Sequence, residues 1–166
     1  MRKMRRRRNG TRPKSAKPPS AKPQSVKPLS AADYATLSEF RHVLRQFAAF
    51  SKDAAVAAGL TAQQHQALLA IKGFPDGAPV TVGALAERLG VRHHSAVGLV
   101  DRLAKRSLVR RRTDPADRRQ VRIELTRGAD ALLAGLSLAH RDELRRLAPL
   151  LRTLLKQISA AGRGRY

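Results

Sequence analysis

The spacing of apolar residues changes along the chain, and each change marks an element. From Ala31 to Gly59, Leu37, Phe40, Leu44 and Phe47 recur at three and four positions, joined by Val43 and Phe50, while Arg41, Arg45 and Lys52 lie elsewhere. That is the period of an amphipathic helix, closed by Gly59. Thr61 is placed to cap a second helix running to about Lys72, with Ala67, Leu68 and Ile71 inward, and Gly73, Pro75 and Gly77 turn the chain after it. Pro79 to Thr81 is short and β-prone, and Thr81 caps the compact helix VGALAERLG, whose inner residues are Leu85, Ala86 and Leu89 and whose end is Gly90. The next helix spans roughly Arg92 to Arg106, with Ala96, Leu99, Val100 and Leu103 as its inward stripe. After Leu108 the period becomes two. Val109 and Arg111 face opposite to Arg110 and Arg112, and on the return Val121, Ile123 and Leu125 alternate with Arg122 and Glu124, which predicts a hairpin packed on the helices by its inner residues. Thr126 then caps a long helix from Arg127 carrying Leu132, Leu133, Leu136, Leu144 and Leu147, and Pro149 either kinks it or opens another. Leu151, Leu154, Leu155 and Ile158 continue the stripe.

Two helices joined by a Gly-containing turn and followed by a charged hairpin form a winged helix-turn-helix, whose second helix enters the DNA major groove. The expected fold is mainly α with a small β-hairpin wing. Its reader core, residues 61–126, is flanked by an N-terminal helix, 31–60, and C-terminal helices, 127–166. These flanks carry more leucine than a compact reader can cover, so they are read as one dimerisation module packed against a second subunit. An intrachain bundle is the competing arrangement.

Residues 1–30 break the pattern. A loose repeat, SAKPP, SAKPQ and SVKPL, places proline where helix would need an N–H and lysine where charges repel, the signature of a disordered basic arm. It is a tether that adds phosphate contacts, a merely solvated tail, or an over-long translation start.

Charge sharpens the picture. The chain carries a formal net charge of +22, and residues 1–30, with 11 Lys and Arg and no acid, leave +11 for the rest. Between Arg88 and Arg122 there are 11 basic residues against Asp101, Asp114 and Asp117, a net +8 gathered in that stretch. A charge gathered on one surface implies a polyanion, and with aromatics scarce and no apolar run near the roughly 18 residues of a membrane span, the polyanion is DNA and not membrane. Cysteine is absent, which excludes disulfides and thiolate metal sites. Met1 to Arg8 is basic like a signal n-region, but no apolar segment follows, so a cytoplasmic protein is expected.

Candidate contacts follow from the faces. The inward stripe leaves His94, Ser95, Val97, Gly98, Asp101 and Arg102 outward or flanking, with Arg92 and His93 at the helix start. Val97 suits a thymine methyl, and His93, His94 or Ser95 can donate hydrogen bonds to bases. Gly98 costs about 1 kcal/mol of helix stability relative to Ala, offset either by close approach to DNA or by crowding against the core. Adjacent His93 and His94 point about 100° apart and cannot chelate one ion, and His65 has no second ligand at i+4, so structural or exposed histidines are expected and no metal or other cofactor. On the hairpin, Arg110 and Arg112 line one face; at its tip Arg118 and Arg119 can enter a narrow minor groove, while Asp117 holds an arginine side chain in place.

The segment from about Thr81 to Gly128 resembles the MarR family of bacterial transcription regulators, through LAERLG, VDRL, DPADRR and the closing LTRG in that order and spacing. The resemblance implies a homodimer on pseudo-palindromic DNA, usually a repressor, with many members released by a small-molecule effector bound between dimer helices and reader. It places the salt-bridging wing acid at Asp117, the minor-groove arginine at Arg119 and base contacts around His94, Ser95, Val97 and Gly98. Val97 and Gly98 stand where the family often has Thr and a polar or basic residue, and Ser107 replaces a frequent glycine. Set against the specific regulator is a nonspecific nucleoid-associated protein dominated by the basic arm. An enzyme is disfavoured, since no phosphate-binding glycine loop or nucleophile set is apparent.

Overall fold

The computed structural model describes residues 28–75, 80–113 and 120–163. The basic arm up to residue 27, Pro79, and the wing tip with Asp117, Arg118 and Arg119 lie outside the described residues. In chain order the elements are α1 (Ala31–Ala57), α2 (Ala62–Lys72), α3 (Val82–Leu89), α4 (His93–Lys105), β1 (Val109–Thr113), β2 (Val121–Leu125) and α5 (Arg127–Arg163).

Helix starts are set by side-chain caps. Ser30 and Asp33 close a capping box on α1, Thr61 and Gln64 close one on α2, and the Thr81 hydroxyl accepts the Ala84 N–H at 3.2 Å to start α3. α4 starts at Arg92 with no side-chain cap. Three helices end alike. After α1, α3 and α4, one left-handed residue lets the chain fold back: Gly59 at φ 73°, Gly90 at φ 63° and Ser107 at φ 56°. In each case the next residue donates to a carbonyl five positions back, Leu60 to Ala55, Val91 to Ala86 and Leu108 to Leu103.

The main core gathers Leu60, Leu68, Ile71, Val80, Leu85, Leu99, Val100, Leu103, Val109, Ile123, Leu133 and Leu136, which joins α2, α3, α4, the hairpin base and the start of α5. Each such side chain contributes about 1.5–3 kcal/mol on burial. Val80 forms no strand but accepts the Ile123 N–H at 2.8 Å, tying the chain before α3 to β2. Thr126 is the staple at the far side of the hairpin: its hydroxyl caps the Ala129 N–H at 3.2 Å and lies 2.8 Å from the Ser107 carbonyl, to which it donates.

β1 and β2 are antiparallel, with Val109 opposite Leu125 and Arg111 opposite Ile123. The expected alternation holds only at the base. Val109 and Ile123 are buried, but Val121 is 43% exposed, because the outer half of the ribbon runs past the helices that would cover it.

A second, smaller core joins α1 to α5: Val43, Leu147 and Leu154 are buried, with Phe40, Phe47 and Leu151 packed around them. Val43 centres the buried face of α1, and Leu37 and Leu44 of the same apolar face are exposed at its edge, together with Leu144 and Leu155 of α5. α5 is one helix through Pro149 and not two; Leu147 and Leu154 on either side of the proline are both anchored in this small core, which holds the helix together across the missing N–H.

Candidate nucleic-acid interface

α4 lies on the core by the expected stripe. Ala96, Leu99, Val100 and Leu103 are each 1% exposed or less, so the opposite face is presented outward with its orientation fixed. Arg92, His93, His94 and Arg102 are exposed on it, and Ser95, Val97 and Gly98 are half-buried. A Cβ built on Gly98 would meet, among the described residues, only the Arg102 Nη1 at 3.4 Å beyond the helix itself. Core crowding is therefore not the reason for that glycine.

Asp101 departs from the outward set. Its carboxylate takes a hydrogen-bonded ion pair from Arg111 at 2.6 Å, which ties α4 to β1. Arg111 is the residue that the alternation placed on the same strand face as Val109, and the pair links that face to the helix. Arg110 and Arg112 share one acid: their Nε atoms lie 2.9 and 3.4 Å from the same Glu124 oxygen. Glu124 thus orients both arginines and removes one unit of charge from the hairpin face, a role the sequence pattern alone did not assign to it.

Behind the reader, a polar joint links it to the long helices. His65 of α2 is 2% exposed and its ring lies 4.6 Å from that of His140 of α5, tilted by 41°. His140 Nδ1 donates to the Leu136 carbonyl at 2.7 Å, and its Nε2 lies 2.9 Å from the Ser51 hydroxyl of α1. The His65 Nδ1 has no hydrogen-bond partner among the described residues. Burial, and secondarily the neighbouring His140, push the His65 pKa below its ordinary value of 6.5. Gln64, one residue before, caps α2 and also accepts from Arg106 Nη1 at 3.1 Å at the end of α4. The capping box was visible as Thr61-x-x-Gln64; the His65–His140 pairing joins residues far apart in the chain and had no local signal.

A shallow depression of about 400 Å³ is lined by Gln66, Leu69, Ala70, Gly73, Arg88 and Leu89. It is built by α2 and α3, without residues of α1 or α5, and so differs from the expected effector cleft. No helix among the described residues is long and apolar enough to cross a membrane.

A helix fixed outward-facing on a trihelical core, with an antiparallel ribbon clamped beside it, is a winged helix-turn-helix. Residues 58–120 match the model of the MarR family. Solved structures agree in fold. A mutant of S. aureus MepR bound to an oligodeoxyribonucleotide is 18% identical, with a TM-score of 0.59 over 76% of this chain and 96% of that one. CouR from Rhodococcus jostii RHA1, bound to p-coumaroyl-CoA, is 24% identical, with a TM-score of 0.61 over 78% and 95%. A probable transcriptional regulator from Pseudomonas aeruginosa is 29% identical, with a TM-score of 0.52 over 71% and 92%. A search of the curated proteins found no match.

Proposed function

We propose that this protein is a dimeric, sequence-specific transcription regulator of the bacterial cytoplasm that represses a nearby promoter and is released by a small-molecule ligand. The observation that carries the DNA-binding part is the outward face of α4: exposed cations and small residues held rigidly by a fully buried opposite stripe, beside a hairpin studded with arginine. α4 lies in the major groove through Arg92, His93, His94, Ser95, Val97, Gly98 and Arg102, and the wing follows the backbone through Arg110 and Arg112. At the wing tip Arg118 and Arg119 reach the minor groove, with Asp117 holding Arg119.

Dimerisation is supported by the exposed Leu37, Leu44, Leu144 and Leu155, which extend the small α1–α5 core outward as an apolar edge. Two copies of α4 about one helical turn apart, near 34 Å, require an inverted-repeat site. DNA and ligand in the MepR and CouR structures support the choice of partners.

The test is a footprint and a titration in about 150 mM salt, where nonspecific binding is weak. A short protected palindrome upstream of a neighbouring gene is the expected result. Equal affinity for operator and scrambled duplex overturns the proposal in favour of a nonspecific nucleoid-associated protein, a reading whose support is the dense positive charge of residues 1–30.

A further inference from the structure

Gly98 stands inside α4, where glycine weakens a helix, and no core atom among the described residues explains it. The atom that occupies the space above it is the Nη1 of Arg102, one turn further on, 3.4 Å from where a Cβ would stand. The cause is helix geometry. Side chains tilt toward the N-terminus, so a long one at 102 lies back over the turn at 98, and the exposed His94, the half-buried Gly98 and the exposed Arg102 fall on one outward stripe. A guanidinium carried from near the end of α4 is thereby brought one turn back, toward the N-terminal residues with which helix-turn-helix recognition helices contact base edges. The adjacent carboxylate, Asp101, does not draw it aside, because Arg111 holds that acid at 2.6 Å.

Lying along the helix surface and flanked by the half-buried Ser95 and Val97, the planar fork of Arg102 matches the paired O6 and N7 acceptors of guanine better than it matches an outlying phosphate. We propose that Arg102, folded back over Gly98, is the side chain through which this protein recognises guanine in the major groove. The proposal rests on the assignment of α4 as the recognition helix. It also relocates the choice of base: the small side chains at 97 and 98 make room, and a residue one turn later fills it.

The experiment uses the full chain and an operator obtained by selection from random duplexes. Each guanine is replaced in turn by 7-deazaguanine, which keeps base pairing but removes the N7 acceptor. One position in each half-site is expected to weaken wild-type binding several-fold. Arg102→Ala should lose roughly 5- to 150-fold on the unmodified operator, the worth of one bidentate pair, and become indifferent to the deaza replacement at that position. Arg102→Lys, which keeps the charge but not the planar fork, should discriminate guanine less than Arg102 does while losing less affinity than Arg102→Ala. Gly98→Leu should lose the preference without lowered thermal stability, and should add little to Arg102→Ala if the two act as a unit. If Arg102→Ala weakens operator and scrambled DNA by the same factor, Arg102 contacts phosphate and the proposal falls while the recognition helix stands. If selection returns no preferred sequence, the regulator assignment itself falls, and this inference with it.

Discussion

The three helix ends that fold back through a left-handed residue allow the cost of that conformation to be measured twice in one molecule. Gly59 and Gly90 meet the requirement with the residue that lacks a Cβ; Ser107, at φ 56°, does not. Non-glycine residues held there lose about 1–2 kcal/mol to the clash of Cβ with the following carbonyl. Ser107→Gly removes that loss, but the more flexible unfolded chain takes back about 0.4–1 kcal/mol. The expected net gain is about 0.5–1 kcal/mol. The hydrogen bonds at this corner are all to backbone atoms of Ser107, its N–H to the Ala104 carbonyl at 2.8 Å and its carbonyl from Thr126 at 2.8 Å, so the substitution leaves them in place. Gly90→Ser is the mirror experiment: a Cβ there meets nothing within 4 Å, so its cost is conformational and of similar size, with opposite sign. Urea unfolding at one fixed protein concentration reads both, with Ser107→Gly raising the midpoint and Gly90→Ser lowering it. A lowered midpoint for Ser107→Gly would refute the argument, showing that the serine side chain earns its place by a contact outweighing its strain.

Acid should destabilise the fold through His65. Its folded pKa is depressed, so stability is full above about pH 7 and falls as pH drops through 6.5, by at most about 1.4 kcal/mol per pH unit for one proton; His65→Leu should flatten urea midpoints between pH 7.5 and 5.5, and an unchanged slope would remove His65 from the cause. Asp101→Ala breaks a pair whose side chains are 46% and 39% exposed, so stability should change by less than about 1 kcal/mol while amide exchange in β1 accelerates; a loss of several kcal/mol would contradict the exposed character of the pair.

Much of this architecture was legible in the sequence because its determinants are local. Threonine caps at 61, 81 and 126, glycine stops at 59 and 90, and the Ala96–Leu103 stripe each act within one or two turns, and each element forms where they place it. What the pattern left open was decided by distant contacts. Val43 is the residue of the α1 apolar face that the chain itself buries because α5 approaches from that side, and of the two courses open at Pro149 α5 continues because partners on α1 hold both flanking turns. At the interface the same division applies. The outward set on α4 followed from period alone, whereas the capture of Asp101 by Arg111 and of Arg110 and Arg112 by Glu124 depends on hairpin register and on how the ribbon meets the helix.

The joint between the long helices and the reader shows why such distant contacts matter more than their number suggests. α5 meets the reader core through Ala129, Leu133 and Leu136, apolar surfaces that have no preferred register of their own. Direction comes from polar atoms instead. His140 is fixed by Leu136 of its own helix and by Ser51 of α1, and its ring lies tilted against that of His65 of α2. The preceding residue, Gln64, holds both the start of α2 and, through Arg106, the end of α4. In a buried setting a displaced donor or acceptor is left without water to replace its partner, so sliding α5 along α2 costs more than apolar contact alone would impose. The orientation of α4 relative to α1 and α5 is thus set by a short run of side chains, Ser51, His140, His65, Gln64 and Arg106, each touching or adjoining the next. Substituting His140 or Gln64 should therefore loosen that orientation before it unfolds the core, since neither residue belongs to the apolar cluster that carries most of the burial.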